Sequence, residues 1–231
     1  MQRKKVGIIG GLGYASTLEY YRRIVEESLQ YTKSDEYPEL IIISLNMTEI
    51  LALIEKQLFE QLTLRLCKAV QELKNAGADF AVIASNTPHI VFDRLSEISL
   101  LPLISIVNVA VDAAVRCGYK NVLLTGTAST MRNDFYKSSF ESHGIKCTVP
   151  DDSDIEIING IIFPDLENRV IKPEHKQKFI ALCEKYIADG VEAVVLGCTE
   201  LPLLIQSGDI SVPIIDTMKL HIDAAVCEIY R

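Results

Sequence analysis

The sequence predicts an α/β protein of two similar lobes with mainly parallel sheets, and three observations carry that prediction. Short apolar runs alternate with longer segments of helical periodicity along the chain. The runs show little polar alternation, as strands covered on both faces do. Segments of the first half also recur, in the same order, in the second. With 231 residues, 48% of them hydrophobic, the chain can form a substantial core.

Taken in order, Val6–Gly10 is the first buried strand and Ser16–Leu29 the first helix. Leu40–Leu45 is the next strand; Leu58–Asn75 is a helix stopped by Gly77. Phe80–Ala84 and Leu103–Ile106 are strands, and the helix Val107–Arg116 ends before Gly118. In the second half, Val122–Thr125 is a strand and Thr130–His143 a helix closed by Gly144. The helix Pro173–Ala188 is followed by Gly190, then by strands Val194–Gly197 and Pro213–Ile215 and the helix Thr217–Tyr230.

The recurrence is sharpest at residues 77–89, G-A-D-F-A-V-I-A-S-N-T-P-H, and 190–202, G-V-E-A-V-V-L-G-C-T-E-L-P. Each has a glycine, an acid, an apolar strand and a polar tip, and the tip residues Ser85 and Cys198 are 113 positions apart. Asp112 and Asp223 lie in a second matched pair, 111 apart, and Val6–Thr17 echoes Val122–Thr130. Duplication of an α/β half explains all three. We expect lobes of residues 1–99 plus 212–231 and of residues 100–211, related by a pseudo-twofold axis. Ligands of open α/β sheets bind beyond the carboxyl ends of strands, which puts the active site in the cleft between the lobes.

Composition narrows the function. Twenty-three Lys and Arg against 31 Asp and Glu give a net charge of −8, which disfavours nucleic acid as a partner. No apolar run reaches 18 residues, so a membrane span is not expected, and Val6–Ile9 is too short for a signal-peptide core. The six cysteines form no C-x-x-C pair and no disulfide framework, pointing to a reducing cytoplasm. Cys67, Cys117, Cys147, Cys183 and Cys227 read as small core residues. With neither a metal cluster nor a Schiff-base lysine context in view, no cofactor is expected.

Cys198 stands out as a reactive thiol, at a strand-to-helix junction whose helix N-terminus would lower its pKa. Ser85 holds the matching tip. Asn86, Thr87, Thr127, Thr130 and Thr199 suit a substrate carboxylate, although helix capping uses the same residues. Asn46 lies at the end of the second strand and is a further lining candidate. Glu200 either orients the thiol or complements a helix start, and as a neighbouring carboxylate it would raise the thiol pKa. Gly10, Gly11 and Gly13 would let the backbone approach a ligand, but G-G-L-G lacks the third glycine of a dinucleotide fingerprint. His89 and His221 read as packing or capping residues, His143 and His175 as surface residues.

G-G-L-G, A-S-N-T-P-H at 84–89, L-L-T-G-T-A-S-T-M at 123–131, G-C-T-E at 197–200 and D-T-M-K-L-H at 216–221 together resemble the aspartate/glutamate racemase family across essentially the whole chain. That superfamily also holds hydantoin racemases, maleate isomerases and arylmalonate decarboxylases. The resemblance implies a cofactor-independent amino-acid racemase in which one cysteine removes the α-proton and a second delivers one to the opposite face. Here the second position is Cys198 and the first is Ser85, which makes this a one-cysteine variant. A serine hydroxyl is a far weaker acid than a thiol, so the resemblance implies a lopsided enzyme working more readily from L to D. The expected partner is a small amino acid or dicarboxylate, and family members often form homodimers. Aspartate-acting relatives hold the side-chain carboxylate with cations; the matching positions here fall near Leu51 and Leu166 or Glu167. Either another basic residue serves, with Lys56, Arg132 and Arg169 as candidates, or the substrate has no second carboxylate. Two other readings remain: a single-cysteine decarboxylase or isomerase of the same superfamily, and a non-catalytic amino-acid-binding protein.

Overall fold

A computed structural model describes residues 3–231. The first sheet takes strands β1 (Val6–Gly10), β2 (Leu40–Ser44), β3 (Phe80–Ile83) and β4 (Leu103–Ile104) in the order β2-β1-β3-β4. The second takes β5 (Asn121–Gly126), β6 (Lys146–Thr148), β7 (Ala193–Gly197) and β8 (Ile214–Asp216) in the order β6-β5-β7-β8. Every pairing is parallel, and the two orders are the same pattern written twice. All residues of β1, β3 and β7 are buried, which is why they read as unbroken apolar runs.

Helices α1 (Tyr14–Thr32), α2 (Met47–Glu55), α3 (Phe59–Asn75), α4 (Phe92–Ile98) and α5 (Ile106–Cys117) connect the first half. The second half has α6 (Ala128–Arg132), α7 (Asp134–Ser142), α8 (Asp152–Ile162), α9 (Pro173–Ala188), α10 (Leu201–Leu204) and α11 (Thr217–Ile229). Helix α3 buries Leu62, Leu66, Ala69, Val70 and Leu73, one stripe at helical spacing, against its sheet. Gly7 of β1 lets that stripe in close, since a Cβ there would lie 2.9 Å from Leu73. Gly77, Gly118, Gly144 and Gly190 all take positive φ just past helix ends, as their sequence positions predict.

The repeated acid has one job in both copies. Asp79 accepts from the Lys5 backbone N–H at 2.7 Å, and Glu192 accepts from the N–H groups of Lys120 and Asn121. Each acid thus secures the entry of the neighbouring central strand, β1 or β5.

The chain divides into two compact units, each with its own apolar core. One runs to Ile106 and takes back His221–Arg231; the other is Val107–Leu220. These limits differ from residues 99/100 and 211/212, because β4 pairs with β3 and β8 pairs with β7. The single helix expected over Thr130–His143 is two, broken at Asn133, which is extended and whose side chain donates to the Ser129 carbonyl at 2.7 Å. Cys147 and Cys183 are buried as expected, but Cys117 and Cys227 are exposed and Cys67 half-buried. His143 is exposed; His175 is half-buried, 3.6 Å from Asp165. Among the described residues no helix is long and apolar enough to cross a membrane.

Candidate active site

In a sheet of order 2-1-3-4, successive connections leave in opposite directions from the two central strands, and the crevice between their carboxyl ends is where ligands bind. In the second unit those strands are β5 and β7. They run in register to Gly126 opposite Gly197, so Thr127 and Cys198 emerge from neighbouring strand ends. Both glycines are forced by packing. A Cβ on Gly126 would lie 2.8 Å from the Gly197 carbonyl oxygen, and one on Gly197 would lie 2.7 Å from that of Thr125.

Cys198 is buried and donates its thiol to Glu200 Oε2 at 3.0 Å; the Thr199 hydroxyl donates to the same oxygen at 2.8 Å. Burial pushes the thiol pKa well above its usual value, and the Glu200 carboxylate adds to the rise. The backbone N–H groups of Glu200 and Leu201 oppose this more weakly. The expectation of a helix-lowered pKa is therefore reversed: α10 has only four residues, too few to outweigh burial and a carboxylate. Thr127 caps α6, accepting from the Thr130 N–H at 3.2 Å, and the two hydroxyls lie 3.1 Å apart. Thr130 is fully buried. Half-buried Glu167, in the short turn Leu166–Asn168, is pushed upward in pKa by burial and by the field of Glu200. The thiol thus sits in an acidic neighbourhood.

In the first unit the matching tips belong to β1 and β3. Ser85 is half-buried, just beyond Ile83; its N–H donates to the Ile83 carbonyl at 2.8 Å. Asn86 is buried and does not cap the turn Thr87–Val91, so the capping role is not how its side chain is used. Thr87 is half-buried at the start of that turn. Asn46 is exposed and caps α2, accepting from the Thr48 N–H at 3.0 Å. Gly10 and Gly11 serve packing: added Cβ atoms would lie 2.5 Å from Thr17 and 2.3 Å from the Leu45 carbonyl oxygen.

The three alternative cations are all exposed. Arg132 is exposed and paired with Asp152 and Glu156, Lys56 is exposed at the end of α2, and exposed Arg169 follows the turn that carries Glu167. Among the described residues no group of three metal-ligating side chains occurs.

Two buried histidines, expected from the sequence to be packing or capping residues, tie the first unit together through hydrogen bonds at both ring nitrogens. His89 Nδ1 donates to the Ser85 carbonyl at 2.9 Å, and Nε2 accepts from the Ile106 N–H at 3.2 Å. His221 Nε2 donates to the Ile104 carbonyl at 2.9 Å, and Nδ1 accepts from Tyr20 at 2.8 Å. Both rings are therefore neutral, and burial holds their pKa values near 3 and 4 respectively. The signal available was the spacing of four between Ser85 and His89, which suits a bond closing one turn.

The sequence profile of the family described as Asp/Glu/Hydantoin racemase matches residues 9–225. A crystal structure of an aspartate racemase homologue from Pyrococcus horikoshii OT3 is 38% identical, with 99% of this chain and 100% of that one covered and a TM-score of 0.87. One provisionally assigned as an Asp/Glu racemase from Yersinia pestis is 33% identical, with 99% and 100% covered and a TM-score of 0.91. The broad specificity amino-acid racemase RacX of Bacillus subtilis (strain 168) is 22% identical over 219 residues, 92% of each chain. By its sequence from end to end and by the form of its two sheets, this chain belongs to the Asp/Glu/hydantoin racemase family, a family of isomerases.

Proposed function

We propose that the protein is a cofactor-independent amino-acid racemase of the aspartate/glutamate type, in which Cys198 removes the α-proton of the L-enantiomer and Ser85 serves the opposite face. The observation that carries this reading is the pair of equivalent strand tips on sheets of one topology, one bearing a thiol hydrogen-bonded to a carboxylate. Glu200 is positioned to take the thiol proton, leaving a thiolate to attack the α-hydrogen. Asn86, Thr87, Thr127, Thr130 and Thr199 bind the substrate carboxylate, and Asn46 lines the same site. Ser85 relays a proton to the carbanion and is a poor base, so turnover favours L to D. With an equilibrium constant of one, kcat/KM is equal in the two directions, so the asymmetry resides in kcat at saturation.

The test is an aspartate, glutamate and neutral amino-acid panel in deuterated buffer, each enantiomer started separately, read by chiral chromatography and mass spectrometry. The expected result is Cα-deuterium in both enantiomers, a higher kcat from L, and loss of ~10²–10⁴-fold in Cys198→Ala. Equal kcat values from D and L remove the directional reading. The protonated state of Cys198 favours one second reading, a superfamily decarboxylase or isomerase that uses the thiol only to protonate a carbanion. Release of CO₂ from a malonate without Cα exchange on amino acids selects it. Absence of any turnover, with ligand affinity unchanged in Cys198→Ala, identifies an amino-acid-binding protein instead.

The same reading includes a reducing, cytoplasmic setting, which six free cysteines fit. It also includes a homodimer. Tyr14, Leu18 and Tyr21 form an exposed stripe on α1, each at least half exposed. Light scattering after size exclusion decides it: the mass of one chain rejects the dimer.

A further inference from the structure

We propose that His89 is the positioning residue for Ser85, fixing the strand tip from which the serine acts; this rests on the reading of Ser85 given above. The argument begins with the backbone. Ser85 has both of its peptide groups engaged: its N–H donates to Ile83, and its carbonyl accepts from His89 Nδ1 at 2.9 Å. With both flanking peptide planes held, the Cα–Cβ direction is set and only the side-chain torsion of the serine is left free.

His89 can do this because the ring is held on every side. Nε2 accepts from the Ile106 N–H at 3.2 Å, which leaves Nδ1 as the protonated nitrogen and aims it at Ser85. One face stacks on Phe92, with centroids 5.1 Å apart and planes 9° from parallel. His221 meets it nearly edge-on at 6.0 Å, itself locked by Tyr20 and Ile104. The ring is 3% exposed, so water does not compete for either nitrogen.

The duplicated tip lacks this device. The residue four positions after Cys198 is Pro202, which has no side-chain donor. The Cys198 carbonyl accepts instead from the Leu201 N–H at 3.2 Å, and the thiol is oriented by Glu200. Each half of the duplication therefore holds its tip by a different means: a carboxylate acting on the thiol, and an imidazole acting on the backbone beneath the hydroxyl.

The test separates the two ring nitrogens. His89→Asn keeps a donor at the Nδ1 position and loses the acceptor; His89→Gln keeps an acceptor toward Ile106 and loses the Ser85 donor. Racemisation and Cα-deuterium exchange with retention are measured together on the L-amino acid that the native chain turns over most rapidly in the panel. Retention exchange needs only the Cys198 face, whereas inversion also needs Ser85. We expect His89→Gln to lower the ratio of inversion to retention exchange by about tenfold or more, His89→Asn to keep it near native, and KM to change little in either. Ser85→Ala is the reference and collapses the ratio. Phe92→Leu, which loosens the stack but keeps both nitrogens, gives a smaller loss and stands in if His89→Gln does not fold. A native-like ratio in folded His89→Gln, or in Phe92→Leu where it must stand in, overturns the proposal. Equal loss of inversion and exchange in every variant also overturns it, leaving a merely structural histidine. If Ser85→Ala leaves the ratio unchanged, or the native chain exchanges nothing in the panel, the reading of Ser85 fails and the positioning role fails with it.

Discussion

Cys198 and Glu200 form a thiol–carboxylate pair in which burial and charge both favour the protonated sulfur. Removing the charge should reverse part of that. In Glu200→Gln the Cys198 thiol titrates at lower pH than in the native chain, read as thiolate absorbance lost on adding Cys198→Ala to each background. If Glu200 also accepts the proton during turnover, kcat falls in the same variant although thiolate is more abundant. An unchanged titration would mean that burial alone sets the pKa. The two tips were legible as sequence because each is local: strand, small residue and polar tip follow one another within 13 residues. The clasp on Ser85 was half legible. The spacing of His89 to Ser85 is on the page, but its second bond goes to Ile106, and the neighbouring His221 meets Tyr20 across 201 positions. No window along the chain brings those residues together.

At the scale of elements, the floor of the second unit's site depends on two glycines at the ends of β5 and β7. Gly126→Ala and Gly197→Ala each drive a methyl against a backbone carbonyl that cannot yield without moving a strand. Each should cost roughly 1–3 kcal/mol, read as a lower denaturant midpoint at constant m-value. Gly160 lies on the exposed side of α8, where a Cβ would meet nothing within 4 Å, so Gly160→Ala should stabilise by about 1 kcal/mol. The central strands and long helices were readable because burial on both faces gives uninterrupted apolar runs and a buried stripe gives a helical period. β6 was not: it is three residues, K-C-T, at a sheet edge, and has only one buried side chain. α8 was missed although Asp151 caps it, accepting from the Asp154 N–H at 3.0 Å, because the acidic run D-D-S-D reads equally as a loop.

For the whole molecule, stability should be bounded by different units on the two sides of neutrality. His89 and His221 have folded-state pKa values near 3 and 4, below the ordinary 6.5. The unfolded chain therefore binds their protons first, and their contribution, complete above pH 6.5, is lost as pH falls toward 4 and then 3. For His221 the loss is on the order of 3 kcal/mol. Cys147 and Cys183 have folded pKa values raised from 9.0 to about 12. Their contribution is complete below pH 9 and is lost as pH rises toward 12. Both histidines belong to the first unit and both cysteines to the second. Hydrogen exchange followed by mass spectrometry should show amides of the first unit losing protection first in acid and those of the second in alkali. Simultaneous loss in both would show that the units unfold as one.

The return of His221–Arg231 to the first unit has a consequence for biosynthesis. The strip includes His221, which anchors Tyr20 and Ile104, and Ile229, whose carbonyl accepts from the Lys4 N–H at 2.9 Å. As the ribosome extends the chain, the first unit has its whole sheet long before it has this strip, while the second unit is complete once Leu220 has been added. The half translated first is thus the half finished last. A nonsense codon after Leu220 would spare the second unit and leave the earlier-made one open.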